Sequence, residues 1–279
     1  MKKIGDAVKD VLRDIKTPVS DGDYMGDDGF LHCGKCGTRK QTSIEVMGRT
    51  IKAPSECDCA KAEREDREKE ERDRQHARMV DRNRRRCFHG SSFEAVTFAM
   101  DDGETKRITD GCRAYCEKFP IMAEKGKGLL FYGSTGTGKT SYAAMIANDL
   151  LERGYSVLFT SIAELAGRMQ YSFTAEVDIL NDLRTFDLVV IDDVKTERTT
   201  STMAERAYKI INTLNEAKRP FICTTNLSIA EIKEPETQAD RRVFDRILQR
   251  CMPVEVEGVQ RRRKEIAADY ADMKELLGF

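Results

Sequence analysis

Short apolar runs alternate with longer amphipathic stretches from about residue 128 onward. The runs are GLLFY at 128–132, SVLFT at 156–160, LVVI at 188–191, FICTT at 221–225 and PVEV at 253–256. Runs of this length, rich in β-branched and aromatic residues, predict strands, and the periodic stretches between most of them predict helices. This alternation predicts an α/β fold with a five-stranded parallel sheet flanked by helices on both faces.

The first third of the chain has a different pattern. An amphipathic opening helix is predicted from one apolar stripe, Ile4, Val8, Leu12 and Ile15. Residues 61–86 carry 19 charged side chains. Their signs alternate at helical spacings, which favours a solvated single helix over a flexible coil. We therefore predict an N-terminal helix and cysteine-bearing module at 1–60, a charged helical linker at 61–90 and an α/β domain at 91–279.

Composition narrows the classes of function. A chain of 279 residues with 40% hydrophobic residues is large enough for one α/β core and a smaller module. Its apolar runs are too short for a membrane span and its N-terminus is interrupted by charge, so we expect a cytoplasmic protein with no membrane contact. The net charge is −1, so nucleic-acid contact must come from a local patch. Arg84, Arg85 and Arg86 could touch phosphate or simply end a solvated helix.

The segment GSTGTGKTS, residues 133–141, carries the clearest chemistry. Gly133 is followed by four residues and then by Gly138, Lys139 and Thr140, between a predicted strand and a predicted helix. In this context the backbone N–H groups enclose the phosphates, the lysine reaches the outer phosphates and the threonine hydroxyl ligates Mg²⁺. An incidental glycine-rich turn would not need this context. The predicted ATP-binding residues are Gly133, Ser134, Thr135, Gly136, Thr137, Gly138, Lys139, Thr140 and Ser141.

Two further strand ends supply polar groups. In LVVIDD, Asp192 is placed to hold Mg²⁺ through water and Asp193 to act as a general base or to position water, although two acids could also cap the next segment. Many ATPases of this architecture carry Glu at the second position. Because Asp is one methylene shorter, we expect slow hydrolysis. Asn226 ends the next strand, where it orients the attacking water or is only a turn residue.

Two arginines lie four residues apart in ADRRVFDRILQR. Arg242 and Arg246 would share one face of a helix. They either pair with Asp245 and other surface acids or are presented to the ATP of a neighbouring subunit.

The four N-terminal cysteines have the spacing of a metal site. Cys33 and Cys36 are followed, after 20 residues, by Cys57 and Cys59. Four thiolates complete a tetrahedral Zn²⁺ site and would fold a module with little core, with His32 as a possible substitute ligand. The alternative is four unconnected thiols. The other candidates lack convincing ligand spacing and are expected to be ordinary thiols or surface groups: Cys87, His89, Cys112, Cys116, Cys223 and Cys251.

From about Phe98 to the end, the chain resembles the DnaC/DnaI-type bacterial helicase loaders, a branch of the AAA+ ATPases that includes the IstB transposition helper. The segments that carry this resemblance are YGSTGTGKTSYAA, LVVIDD, AERAYKIINTLNEAKRP with FICTTNLS, RRVFDRIL and PVEVEGVQRRRKE. The resemblance implies Asn226 as the sensor residue and Arg246 as the arginine finger, with Arg242 as a second trans-acting candidate. Only 33 residues follow Arg246, so no C-terminal lid is expected.

The resemblance also implies a function. It is that of an ATP-dependent homo-oligomer that loads a hexameric replicative DNA helicase onto single-stranded DNA, with a cysteine-bearing N-terminal domain of the kind that binds the helicase. Two alternatives remain: an IstB-like transposition helper, and a helicase-binding adaptor that uses ATP as a structural switch. The candidate DNA contacts, each also an ordinary surface charge, are Arg168, Lys195, Arg198 and the run Arg261 to Lys264.

Overall fold

The computed structural model describes residues 17–46, 48–88, 91–194, 201–258 and 260, with residues 270, 273–274 and 276–278 near the end. The chain divides into two compact units, Met1–His76 and Ala77–Phe279. The predicted helix through Ile4 and Ile15 lies outside the described residues. Within them, no helix has the length and apolar character needed to cross a membrane.

The N-terminal unit contains two small antiparallel sheets. The first pairs β1 (Tyr24–Met25) with β2 (Leu31–His32), and the second pairs β3 (Gln41–Val46) with β4 (Arg49–Pro54). Each sheet has only two strands, which is too few for independent stability in water. The unit therefore needs another source of stability.

A long helix follows the second hairpin. This helix, α1, runs over Asp58–Phe88. Its exposed part carries i,i+4 ion pairs, such as Arg64 with Glu68 at 2.8 Å and Arg74 with Glu70 at 3.5 Å. The charged linker predicted at 61–90 corresponds to this helix, which begins three residues earlier, at Asp58, and is described as far as Phe88.

The larger unit is an α/β domain. After short 3₁₀ turns at Ser92–Ala95 and Phe98–Met100, its elements in chain order are α2 (Lys106–Glu117), α3 (Phe119–Lys125), β5 (Gly128–Tyr132), α4 (Lys139–Glu152), β6 (Val157–Ser161), α5 (Ile162–Met169), α6 (Phe173–Leu183), β7 (Leu188–Asp192), α7 (Ser201–Glu216), β8 (Phe221–Thr224), α8 (Ile229–Lys233), α9 (Gln238–Arg250) and β9 (Cys251–Glu255).

Five parallel strands form the central sheet in the order β6-β7-β8-β5-β9. All five strands predicted from the apolar runs are present, and the predicted fold class is confirmed. Strand β8 lies between β5, which leads into residues 133–141, and β7, which ends at Asp192. Because parallel strands end at the same edge of a sheet, this order brings three loops together there.

Hydrophobic side chains pack on both faces of the sheet. On β5, Leu129 and Phe131 belong to one core cluster, and Leu130 and Tyr132 to the other. Helix α4 covers the first face, while α5, α7 and α9 contribute to the second. Alternate residues of a strand point to opposite faces, so a strand buried on both sides is apolar throughout. This packing holds the strand ends in fixed positions.

Candidate nucleotide site and zinc cluster

The loop between β5 and α4 has the geometry of a phosphate-binding loop. Gly133, Gly136 and Gly138 have φ values of 127°, 83° and 98°. Side chains are disfavoured in this left-handed region, so glycine is the residue that fits. A Cβ on Gly133 would also lie 2.9 Å from the backbone oxygen of Val256. The glycines predicted to shape this loop are therefore explained by its backbone.

Lys139 is held close to the loop that precedes it. Its Nζ donates hydrogen bonds to the backbone oxygens of Gly133 at 3.0 Å and of Ser134 at 2.7 Å. The Thr137 hydroxyl also donates to the Ser134 oxygen, at 3.0 Å. The ammonium group thus lies over the centre of the loop at the N-terminus of α4, where it adds its charge to the helix dipole.

Three side chains from different elements meet at Asp192. Its Oδ1 accepts hydrogen bonds from the hydroxyls of Thr140 at 2.9 Å and of Thr224 at 2.6 Å. The predicted Mg²⁺ pair, Thr140 and Asp192, is therefore brought together. Oxygen ligands of this kind suit Mg²⁺, which retains several waters in such sites. Thr224 is absent from the sequence-based set, although its place at the end of the neighbouring strand could have indicated it.

Asp193 has an unusual backbone conformation, with φ at 52°. Left-handed φ is uncommon for residues other than glycine, and Asp and Asn tolerate it best. Its N–H donates to the Thr224 hydroxyl at 2.8 Å, and its Oδ1 accepts from Asn226 Nδ2 at 3.4 Å. Partial burial, followed by the nearby charge of Asp192, raises the pKa of Asp193. The structure thus brings Asp193 and Asn226 side by side.

These groups line one pocket of about 370 Å³. Its walls include Lys139, Asp192, Asp193 and Asn226, together with Phe93, which the sequence analysis did not select. Asn148 fixes the Phe93 segment because its Nδ2 donates to the backbone oxygens of Phe93 at 3.1 Å and Val96 at 2.8 Å. Phe93 precedes every motif of the nucleotide site, so only the folded chain reveals its position.

The arginines of α9 lie elsewhere. Among the described residues, Arg242 and Arg246 line a second surface pocket with Tyr208, Asp245 and Gln249, and are not among the residues that line the nucleotide pocket. Asp245, the expected surface partner of these arginines, lines the same pocket, but it is not the residue against which Arg242 packs. Arg242 instead lies over the ring of Tyr208, with its Cζ 4.2 Å from the ring centroid.

The three arginines at the end of α1 form ion pairs with acidic residues. Arg84 pairs with Glu152, Arg85 with Asp81 at 3.0 Å and Arg86 with Asp182 at 3.5 Å. Arg168 is exposed on α5. Lys195, Arg198 and the run from Arg261 to Lys264 lie outside the described residues, as does His89.

The four N-terminal cysteines form one cluster. The Sγ atoms of Cys33, Cys36, Cys57 and Cys59 all lie within 4.8 Å of one another. The Cys33–Cys59 and Cys57–Cys59 sulfur distances are 3.5 and 3.4 Å. Four sulfurs at about 2.3 Å from a tetrahedral Zn²⁺ would be about 3.8 Å apart. The cluster therefore has the donor set and dimensions to hold zinc.

Local backbone structure explains both cysteine spacings. The Cys33–Thr38 turn is closed by hydrogen bonds from Gly37 N to Cys33 O at 2.8 Å and from Cys33 N to Thr38 O at 2.9 Å. Cys57 and Cys59 lie where the chain enters α1, so a single intervening residue suffices.

The thiol pKa values of the cluster are shifted in both directions. N–H groups of Cys36 and Lys35 lower the pKa of Cys33, and the Thr38 hydroxyl lowers that of Cys36 to about 6. Hydrogen bonding with Cys57 and Cys33 raises the pKa of Cys59 to about 12. Metal binding requires deprotonated thiols, so zinc would bind this cluster with release of protons.

His32 is not part of this cluster, so its assignment as a substitute ligand was wrong. Its Nδ1 donates to the Gly37 oxygen at 2.8 Å, and its Nε2 contacts both Asp28 carboxylate oxygens at 3.0 Å. These hydrogen bonds, the one to Gly37 first, raise the pKa of His32. Both ring nitrogens are used by the turn and by Asp28. The remaining cysteines, Cys87, Cys112, Cys116, Cys223 and Cys251, are buried.

The fold and the site together define a P-loop ATP-binding protein of the AAA+ class. Three features carry this conclusion: the five-stranded parallel sheet, the phosphate-binding loop after β5, and the acidic pair at the end of β7. Strand β8 lies between β5 and β7 in the sheet. A family model described as "IstB-like ATP binding protein" matches residues 62–268. The chain belongs to this family. Membership implies ATPase activity and a requirement for nucleotide and Mg²⁺.

Two curated relatives show which kind of protein within this family the chain resembles. The replicative helicase loader DnaC of Escherichia coli (strain K12) is 33% identical over 139 residues, which cover 48% of this chain and 54% of the relative. The replicative helicase loader DnaI of Bacillus subtilis (strain 168) is 29% identical over 172 residues, 56% of this chain and 53% of the relative. The chain thus spans about half the length of the curated relatives it matches.

A solved structure agrees on the fold. The crystal structure of the DnaC helicase loader matches with a TM-score of 0.53 and 20% sequence identity, over 60% of this chain and 100% of that one. Together with the curated relatives, this match confirms the predicted resemblance to the DnaC/DnaI-type proteins.

Proposed function

We propose that this protein is an ATP-dependent loader of the replicative DNA helicase onto single-stranded DNA, acting in the cytoplasm. The observation that carries the proposal is the similarity of its ATPase region to proteins from two organisms that are both named replicative helicase loaders. The nucleotide pocket gives such a protein its ATP dependence, and the cysteine cluster gives it a second, separate functional element.

The nucleotide pocket supplies the chemistry of the proposed cycle. Residues 133–141 would hold the ATP phosphates, and Thr140 and Asp192 would hold Mg²⁺, which neutralises charge on the transferred phosphoryl group. Asp193 would act as the base or position the attacking water, and Asn226 would orient that water. The short Asp193 side chain supports slow hydrolysis, with a turnover below about 10 per second. ATP binding would then drive assembly, and hydrolysis would drive release.

A second copy would complete the active site. Arg246, with Arg242 as a second candidate, lies outside the nucleotide pocket of its own chain among the described residues. An arginine placed there would reach the ATP of a neighbour, where it would stabilise the charge of the transition state. This supports an ATP-dependent homo-oligomer.

The N-terminal module would contact the helicase. Cys33, Cys36, Cys57 and Cys59 would hold the Zn²⁺ that orders the module around them. DNA contact is assigned to the ATPase region, where Arg168 is an exposed basic candidate on α5.

Complex formation with the helicase tests the proposal. The purified protein is mixed with the replicative helicase of its source and the complex mass is measured by light scattering with ATP and with ADP. A helicase-sized complex with ATP, followed by transfer of the helicase to single-stranded DNA, is expected. A complex that forms without loading, and that Asp192→Asn leaves unchanged, identifies an adaptor instead.

A transposition helper is the second candidate, because the matched family model is that of IstB-like proteins. Such an ATPase would prefer duplex over single-stranded DNA and would form no complex with the helicase. Fluorescence anisotropy with labelled single-stranded and duplex oligonucleotides of equal length, with ATP present, separates the two.

A further inference from the structure

A small polar pocket lies between helices α7 and α9, apart from the nucleotide pocket. We define the arginine cluster as the five residues that line it: Tyr208, Arg242, Asp245, Arg246 and Gln249. The pocket has a volume of about 270 Å³ and opens to the surface. Tyr208 comes from α7, and the other four residues come from α9.

Tyr208 contacts both arginines. Arg242 places its guanidinium over the aromatic ring, with Cζ 4.2 Å from the centroid, in a cation–π arrangement. The guanidinium groups of Arg242 and, after it, Arg246 also stabilise the phenolate form and lower the pKa of Tyr208. One side chain thus offers a π face and a shared acceptor to two guanidinium groups.

The rest of the cluster is anchored to the fold. Arg246 Nη1 donates to Gln249 Oε1 at 3.2 Å. Asn215 of α7 donates to the backbone oxygen of Arg246 and to Gln249 Oε1, both at 3.0 Å. Arg250 Nη2 in turn donates a hydrogen bond to the backbone oxygen of Asn215 at 3.2 Å. The backbone of α9 is therefore fixed against α7 beside Tyr208.

Contact with Tyr208 counteracts two effects that would otherwise disorder the arginine pair. Two like charges four residues apart on a helix repel each other, and each arginine has many rotamers. Asp245 can neutralise charge, but it lies on α9 itself and offers no planar surface. Tyr208 is rigid, comes from another helix and leaves guanidinium N–H groups available to an anion.

We propose that Tyr208 is the positioning residue for the arginine pair, holding Arg242 and Arg246 in the orientation in which they meet the ATP of a second copy of this chain. The inference rests on the proposed function, which assigns those arginines to a neighbour's active site.

Two substitutions separate the ring from the hydroxyl. Tyr208→Phe keeps the π face for Arg242 and removes the shared acceptor, whereas Tyr208→Leu removes both. Arg246→Ala is the reference for loss of the arginine, and Tyr270→Leu, at an exposed tyrosine, is the matched control. Steady-state hydrolysis is measured over a range of Mg-ATP concentrations, and Tm is measured for each variant.

Tyr208→Leu is expected to lower kcat about tenfold, toward the Arg246→Ala value, with KM changed less than about twofold. Tyr208→Phe is expected to lie between Tyr208→Leu and the wild type. The control keeps the wild-type kcat. A wild-type kcat in Tyr208→Leu, with Arg246→Ala impaired, overturns the inference and leaves the proposed trans arginine in place.

Mixing distinguishes positioning from simple misfolding. Tyr208→Leu protein has an intact nucleotide site, whereas Lys139→Ala protein has intact arginines. In an equimolar mixture, Lys139→Ala copies present ordered arginines to the Tyr208→Leu sites, so hydrolysis is expected to exceed the sum of the two separate activities. No gain on mixing overturns the inference. If Arg246→Ala keeps its activity, the trans arginine fails and the role of Tyr208 fails with it, while the helicase-binding experiment still decides the loader proposal.

Discussion

The two units of this protein are stabilised in different ways. Among the described residues before α1, the buried apolar and thiol side chains are Leu31, Cys33 and Cys57, so two of the three are members of the cysteine cluster. In the ATPase unit, β5 and β8 are buried along their whole length, and α4 contributes ten buried residues. One unit depends on a few sulfur atoms and the other on an extensive core.

Polar contacts do not compensate for the small core of the N-terminal unit. Lys40 Nζ contacts Asp23 at 2.5 Å, and Arg39 contacts Asp28 at 2.7 Å. The contact with Lys40, followed by hydrogen bonding from the Ser20 N–H, lowers the pKa of Asp23 to about 2. The Arg39–Asp28 pair lies near solvent and contributes little net stability, and the attraction within the shielded Lys40–Asp23 pair is offset by the desolvation of its two charges. We therefore expect the N-terminal unit to unfold completely when its metal is lost. In the ATPase unit, each core substitution should instead lower the free energy of unfolding by a limited amount.

The largest expected effect is loss of zinc. Cys33→Ser/Cys36→Ser removes two thiolates, and structural zinc sites contribute about 10–16 kcal/mol of apparent binding free energy. Zinc content is expected to fall from about one ion per chain to none, and the module becomes sensitive to protease. Helicase binding is lost, while ATP hydrolysis stays within about twofold of wild type. Retention of a protease-resistant module without zinc would contradict this account.

A core truncation should produce the opposite pattern. Leu151 is fully buried in α4. Leu151→Ala should lower the free energy of unfolding of the ATPase unit by about 2–5 kcal/mol, because it removes buried apolar surface and leaves a cavity. Zinc content should not change. Denaturant unfolding followed by circular dichroism, with zinc measured on the same samples, tests both statements.

A substitution at Asp192, the proposed Mg²⁺-binding carboxylate, should affect catalysis more than folding. Asp192→Asn keeps the size of the side chain and both threonine contacts nearby, but removes the charge that would hold Mg²⁺. We expect kcat to fall by about 10²–10³-fold, with zinc content unchanged. Asp187→Asn, at an acid on the loop before β7 and outside the pocket, is the control. Wild-type hydrolysis in Asp192→Asn would remove Asp192 from the site.

The parts that were predictable from sequence depend on local patterns. The five strands followed from apolar runs, and residues 133–141 from a motif whose glycines are required by left-handed φ at Gly136 and Gly138. The cysteine cluster followed from spacing. The strands and the loop are each encoded within a few neighbouring residues, and the cysteine cluster within two short pairs, so no knowledge of the tertiary fold was needed.

The parts that were missed depend on strand order and packing. Thr224 lies beside Asp192 only because β8 is next to β7 in the sheet. Phe93 reaches the pocket because Asn148 holds its segment from a distant helix. His32 was misjudged since its ring nitrogens are already engaged by Gly37 and Asp28. Spacing along the chain contains none of this information.

The smallest effect, and the sharpest test of the site, is expected at Thr224. Its hydroxyl donates to Asp192 Oδ1 at 2.6 Å and accepts from the Asp193 N–H at 2.8 Å, so one atom orients both acids. Thr224→Val keeps the shape of the side chain, leaves that N–H unpaired and removes one of the two hydroxyls that hold the Asp192 carboxylate. We expect a loss of about 1–3 kcal/mol in the free energy of unfolding and a fall in kcat of about tenfold, with KM for ATP nearly unchanged.

Two controls make this result specific. Thr224→Ser keeps the hydroxyl and should keep most of the activity. Thr160→Val removes another buried threonine hydroxyl, which donates to Glu164 at 2.9 Å on neighbouring β6 and α5. It should cost similar stability but leave kcat unchanged. If Thr224→Val and Thr160→Val lose stability equally and both keep wild-type kcat, Thr224 supports the fold alone and Asp192 is oriented by Thr140.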